Sequence, residues 1–314
     1  MTDTPVTPAP VTDDFLARFQ IETLPVHGKI VRLGATIDAI LAAHAYPDLV
    51  ANLLGEACAL AVLIGSALKH DGRLILQAQG DGPVAYVVAD YDTNGQLRGF
   101  CRFNPEAVAA LADEGRGNYS QVGAKALLGK GTFIMTIDPG AGMERYQGVT
   151  PIEGESLALC AESYFAQSEQ IPTRVRLAVA RHMDASGTRW RAGGALIQYV
   201  ASDEARGDTR EAWNHCDVLF RTLGEDELVD PDLPADRLLY RLFHEDGVRM
   251  NTPQPVEKFC RCSQERITAL VQSFPVSERA EMAEADGQIR VTCEYCSKVY
   301  AVDPAGLEAD ARPM

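Results

Sequence analysis

The chain has 314 residues, enough for two domains of about 100–200 residues each. Hydrophobic residues make up 46% and charged residues 23%, a globular balance that excludes wholesale disorder. Lys plus Arg number 29 against 44 Asp plus Glu, a net charge of −15, which argues against nucleic acid or an anionic membrane surface as the main partner.

Residues 1–11 read as a disordered Pro/Thr tail, and the opening stretch lacks the basic region and apolar run of a secretory signal. A cytoplasmic location is therefore expected. Residues 36–41 start a short helix that stops before Pro47, because the residue before a proline avoids the α region. A second helix is expected over 47–69, with Pro47 at its first position. Its core, 49–68, has the length of a membrane span, yet Asn52, Glu56 and the missing basic flank favour a buried helix. Residues 73–79, 84–89 and 96–103 read as three strands separated by turns at 80–83 and 91–95. Residues 133–137 and 146–149 suggest a further hairpin. Leu157, Cys160, Ala161, Tyr164 and Phe165 recur at helical spacing, predicting an amphipathic helix over 156–170 that Pro172 ends. Strands follow at 175–179 and 194–200. Strands in runs, without strict alternation with helices, indicate an α+β domain with an antiparallel sheet, assigned to 12–200.

Residues 201–255 carry thirteen acidic and six basic residues. Trp213, Leu219, Phe220, Leu238, Leu239, Leu242 and Phe243 are spaced loosely as on helices. This segment reads as an acidic, marginally stable helical linker whose apolar faces need a neighbour. Residues 256–314 are too few for a strong core of their own.

That last segment holds Cys260-x-Cys262, thirty intervening residues, then Cys293-x-x-Cys296. Two close pairs can converge on one soft cation, with zinc–sulfur distances of about 2.3 Å. Four sulfurs leave no open position, so zinc here would not be hydrolytic. Metal binding would also supply folding energy that the small module lacks. If the metal leaves, each close pair is poised to oxidise, because metal-held thiolates are already deprotonated. A structural clip and a redox switch both remain open on spacing alone.

With this cysteine pattern, the sequence resembles the heat shock protein 33 family of redox-regulated chaperones. The resemblance extends over nearly the whole chain beyond the tail, through 79–83 (QGDGP), 144–148 (ERYQG) with Glu153-Gly154, 164–165 with 167–173, 192–194 (AGG) and 241–245 (RLFHE). It implies an N-terminal α+β domain, a helical linker folded onto it and a C-terminal zinc domain. It implies one zinc per chain on Cys260, Cys262, Cys293 and Cys296 in the reduced form, and disulfides Cys260–Cys262 and Cys293–Cys296 after oxidation. The implied activity is a non-enzymatic, ATP-independent holdase that binds unfolding client proteins, with a possible homodimer on activation. In this reading zinc pins the module, the module covers the linker's apolar faces, and oxidation releases them. Val302, where many members carry an aromatic residue, is expected to loosen the module's core.

Two rivals come from other classes. A zinc ribbon binding nucleic acid is disfavoured by ten acidic against seven basic residues over 256–314. A thiol–disulfide oxidoreductase built on Cys293 and Cys296 would need a thioredoxin-like βαβ pattern, which is missing. The glycine-rich run 123–132 imitates a phosphate loop, but five residues separate Gly123 from Gly129 and Gly131 follows Lys130, so it reads as a turn. Cys58, Cys101, Cys160 and Cys216 are scattered; Cys160 should be an inert core residue, and Cys216 in the linker is the one with an auxiliary redox option. The six histidines show no ligand or triad spacing.

Overall fold

The apolar run after Pro47 forms helix α2 (Asp48–Gly65) in the computed structural model, which describes residues 13–68, 71–113, 119–140, 143–185, 187–200 and 209–307. The tail expected at 1–11 lies outside the described residues. Every α2 residue except Asp48 and Asn52 is buried, so the helix is apolar all round because it has protein on all sides. It is the one described helix long and apolar enough to cross a membrane, and it forms the centre of the core instead. Pro47 caps it from outside the first turn. Glu56 is its buried acid: Tyr119 Oη donates to Glu56 Oε2 at 2.7 Å, and burial pushes this carboxyl up to about 7.

Two sheets enclose α2. The first contains β1 (Phe15–Ile21), β2 (Val26–Leu33), β8 (Thr173–Asp184), β9 (Gly187–Tyr199), β10 (Val248–Met250) and β11 (Gln254–Pro255). Its order is β10-β1-β2-β9-β8, with β11 also on β1, and all pairings are antiparallel. The second contains β3 (Arg73–Gly80), β4 (Val84–Asp92), β5 (Gln96–Phe103), β6 (Gly131–Asp138), β7 (Tyr146–Pro151) and β12 (Glu257–Lys258). Its order is β12-β5-β4-β3-β6-β7, antiparallel except for the short parallel pair β12–β5. The α+β class with antiparallel sheets follows directly from the strand runs. Helix α1 (Ala35–Leu41) and α5 (Leu157–Tyr164, capped by Ser156 and continued by a π-helical turn at Phe165–Glu169) also lie where sequence places them.

Helices α3 (Pro105–Asp113) and α4 (Tyr119–Leu128) were not anticipated. The phosphate-loop lookalike is the end of α4 and the turn into β6, and its glycines serve packing. A Cβ on Gly131 would lie 1.9 Å from the Gln79 carbonyl oxygen, and one on Gly80 of the facing turn 2.0 Å from that of Leu128. Asp81 Oδ1 meanwhile accepts from the Lys130 amide at 2.7 Å, so the QGDGP turn is fitted against 128–130.

The acidic linker segment forms α6 (Thr209–Arg221), α7 (Glu225–Val229) and α8 (Ala235–Phe243) before β10. Cys216, Phe220, Leu228, Leu238, Leu239 and Phe243 are buried against Phe15, Phe19, Ile21, Val26 and Ile30 of the first sheet. The Phe19 and Phe243 rings stack at 6.1 Å between centroids. The neighbour that these apolar faces need is the sheet's outer face. The sheet alternates accordingly, Leu16, Val31 and Leu33 facing α2 and Phe15, Ala17, Phe19 and Ile30 facing the linker helices.

A polar latch adds to this second core. Arg32, 1% exposed, donates Nη1 to the carbonyls of Asp230 (2.8 Å) and Leu233 (2.5 Å) and Nη2 to that of Glu227 (2.9 Å). Arg191 donates Nε to the Val229 carbonyl at 2.7 Å while its other nitrogens grip Asp13. Burial, then the neighbouring Arg191, holds the Arg32 guanidinium below its ordinary value, against the pull of Asp13 and Asp230. Gly193 makes the approach sterically feasible, since a Cβ there would sit 2.3 Å from the Leu228 carbonyl oxygen. The AGG block thus has a packing reason.

The chain divides into two compact units, the first ending at Lys258 and the second starting at Phe259. The second contains α9 (Gln264–Gln272), α10 (Val276–Met282) and the antiparallel hairpin β13 (Ile289–Thr292)–β14 (Val299–Val302). Its core is three buried side chains, Val271, Ile289 and Val302, with a few half-buried ones around them.

Candidate metal centre

Cys260 and Cys262 lie immediately before α9, whose N-cap Ser263 accepts from the Arg266 amide. Cys293 and Cys296 lie in the turn of the β13–β14 hairpin. That turn closes with the Cys293 amide bonded to the Lys298 carbonyl (2.9 Å) and the Ser297 amide to the Cys293 carbonyl (2.8 Å). Ser297 takes the left-handed conformation, φ +57°, that the turn requires.

The two halves bring all four sulfurs within 4.8 Å of one another. Cys260 and Cys262 are 3.2 Å apart, Cys262 and Cys296 3.4 Å, and Cys260 and Cys293 3.6 Å. Sulfurs at 2.3 Å from a tetrahedral zinc are about 3.8 Å apart, so the cage has the size for such an ion. All four are half-buried. Each candidate residue named from sequence is in the group.

Tyr300 completes the site, and sequence did not single it out as a partner. Its hydroxyl donates to Cys262 Sγ at 3.0 Å, and Lys298 Nζ lies 4.9 Å from its ring centroid. Burial pushes the Cys260 thiol up. Burial acts upward on Cys262 too but is outweighed by donors to its sulfur, Tyr300 first, so its thiol is drawn down. Cys262 is the sulfur best prepared to be an anion.

The other four cysteines have the opposite character. Cys58, Cys101, Cys160 and Cys216 are buried and free, and burial raises all four thiols, Cys160 to about 11 and Cys216 to about 12. Cys160 fills the core as expected. Cys216 is fully enclosed between linker and sheet, a setting that suppresses thiolate chemistry.

Comparison with known proteins places this geometry in a family. The family model described as "Hsp33 protein" matches residues 14–303. The chain belongs to the Hsp33 family. It is 62% identical over 296 residues to the 33 kDa chaperonin of Caulobacter vibrioides strain NA1000, covering 94% of this chain and 97% of that protein. Over 303 residues it is 37% identical to the 33 kDa chaperonin of Escherichia coli O7:K1, covering 96% and 97%. The crystal structure of the 33 kDa chaperonin from Thermotoga maritima shares the fold, with a TM-score of 0.73 at 20% identity over 93% of this chain and 96% of that one. The chain is thus an Hsp33-family chaperone with a four-cysteine group able to hold a metal ion.

Proposed function

We propose that this chain is a cytoplasmic, ATP-independent holdase, silent when reduced and zinc-bound, that binds unfolding proteins once its cysteines are oxidised. The observation that carries the reading is the four-sulfur cage in a unit whose own core is three side chains. Zinc on Cys260, Cys262, Cys293 and Cys296 would offset half the charge of four thiolates and supply the folding energy of the module.

The protein's part in switching is carried by the two cysteine pairs. Each pair of thiolates gives two electrons to one peroxide, taking up two protons overall and releasing two waters, with one S–S bond formed per pair. Interatomic distances do not select the pairing, because 260–262, 262–296 and 260–293 are all close. Sequence proximity does: Cys260–Cys262 and Cys293–Cys296 remain neighbours even in an unfolded module. The linker's net charge repels itself once its docking is loosened. The apolar side chains of linker and sheet would then be open to clients.

The test is thermal aggregation of a client protein with and without peroxide, read alongside released zinc. Suppression only after oxidation, with one zinc released per chain, is expected. Full suppression by the reduced, zinc-loaded protein, or none in either state, would overturn the reading. Tyr300→Phe should weaken zinc retention about 10-fold, as outer-shell changes at metal sites do, and hasten peroxide-driven release because Cys262 loses a donor that tempers its sulfur. A chelator competition gives the first number and stopped-flow release the second; unchanged values would make the phenol a bystander.

A further inference from the structure

The first sheet outlasts the helix packed on it. The register rows Arg18–Lys29–Leu196 and Gln20–His27–Gln198 run across β1, β2 and β9 on the face turned to α2. Lys29 Nζ donates to the Leu63 carbonyl at 2.7 Å and Arg18 to that of Ser66, so the first row meets the last turn of α2. Beyond that turn no element among the described residues covers the face, which forms part of a cavity of about 740 Å³, bounded also by Gln170 and Ile171 of the loop before β8.

The lining is unusual for a chain of net charge −15. Arg18, His27 and Lys29 supply three bases, Gln20, Gln170 and Gln198 supply amides, and no carboxylate lines the cavity among the described residues. The carbonyl end of a helix favours cations, which accounts for why Arg18 and Lys29 are there. It uses one donor of each, whereas an ammonium has three and a guanidinium five. Burial, then the Arg18 guanidinium, draws the Lys29 ammonium down to about 7, consistent with positive charge that carbonyls alone leave under-compensated. Leu196 and Ile171 add an apolar wall beside the bases.

We propose that this cavity is a binding site for a small organic anion, whose phosphate or carboxylate head lies between Arg18 and Lys29 and whose apolar body rests on Ile171 and Leu196. Charge-assisted hydrogen bonds would fix the head, with Arg18 able to grip two oxygens and Lys29 adding a point charge. No cysteine lines the cavity among the described residues, and the proposal rests on none of the redox reading.

Calorimetric titration of the full-length reduced protein with phenyl phosphate, benzoate and inorganic phosphate tests it. Phenyl phosphate or benzoate should bind at least ten-fold tighter than inorganic phosphate, and the tighter of the two identifies the head. Lys29→Met and Arg18→Gln should each weaken that binding ten-fold or more, with Lys29→Arg retaining most of it. Methyl resonances of Ile171 and Leu196 in the unsubstituted chain should shift on saturation, a readout that does not depend on how the variants fold. No binding of any probe at millimolar concentration, unchanged affinity in the folded variants, or methyl shifts only elsewhere would overturn the site.

Discussion

Cys293→Ser is expected to unfold residues 259–307 in reductant while the first unit keeps its fold. Among the described residues the second unit's core is Val271, Ile289 and Val302, with Tyr300 buried at Cys262, a core that cannot offset the entropy of ordering about fifty residues. Structural zinc sites contribute on the order of 10–16 kcal/mol in isolated fingers, and this substitution removes one thiolate while leaving the Cys260/Cys262 pair intact. Circular dichroism and proteolysis should show the loss of the module, and metal analysis the loss of stoichiometric zinc. Activity then separates two mechanisms. Aggregation suppression by the variant without oxidant identifies the module as a brake; activity appearing only on oxidation gives the remaining Cys260–Cys262 disulfide a part of its own. A variant inactive under every condition, with its first unit still folded, would sink the brake mechanism. Stoichiometric zinc retained by Cys260→Ser/Cys293→Ser would remove the ligand assignment altogether.

Arg32→Met is expected to free the linker without touching a cysteine. The substitution removes the buried charge but leaves the carbonyls of Glu227, Asp230 and Leu233 without the guanidinium donors they have in the native protein. A buried polar group left unmade costs about 1–3 kcal/mol, so three carbonyls, two of them part-buried, set against the relief from no longer desolvating a cation, leave a net cost on the order of 3 kcal/mol. The chain can regain those hydrogen bonds from water by lifting α7 off the sheet, so the penalty should appear as local opening. Hydrogen exchange over 225–243 should speed up by about 100-fold or more in the reduced protein, with the protection of α2 unchanged. Protection equal to the native protein's would show that apolar packing alone holds the linker.

What sequence could and could not show follows from the range of the signal. The central helix, β3 to β5 and the helix from 157 declare themselves through local periodicity, and the cysteine pairs through ligand spacing, which survives any uncertainty about the surrounding fold. β2 is masked by its own inward charges: Lys29 and Arg32 interrupt the alternation that would mark it as a strand, and each has a structural partner far along the chain, at Leu63 and at Glu227–Leu233. β10 to β12 span two or three residues each and carry no period at all. Tyr300 meets Cys262 across 38 positions, a contact that only the hairpin's placement creates. In each case the missing information was non-local pairing.

The arginine latch reads main chain. Arg32 and Arg191 address main-chain carbonyls of residues 227–233, the Asp230 charge adding its pull on Arg32, so the grip recognises a shape far more than a composition. The grip therefore places no demand of its own on the side chains that point away from the sheet, and an acidic run such as Glu225-Asp226-Glu227 can accumulate there, Glu227 accepting from the Gly224 amide at 3.0 Å and pairing with Arg241. The same arrangement makes letting go concerted: one unwound turn of α7 misdirects several acceptors together, so engagement behaves as a threshold in helix integrity and not as a graded sum of contacts.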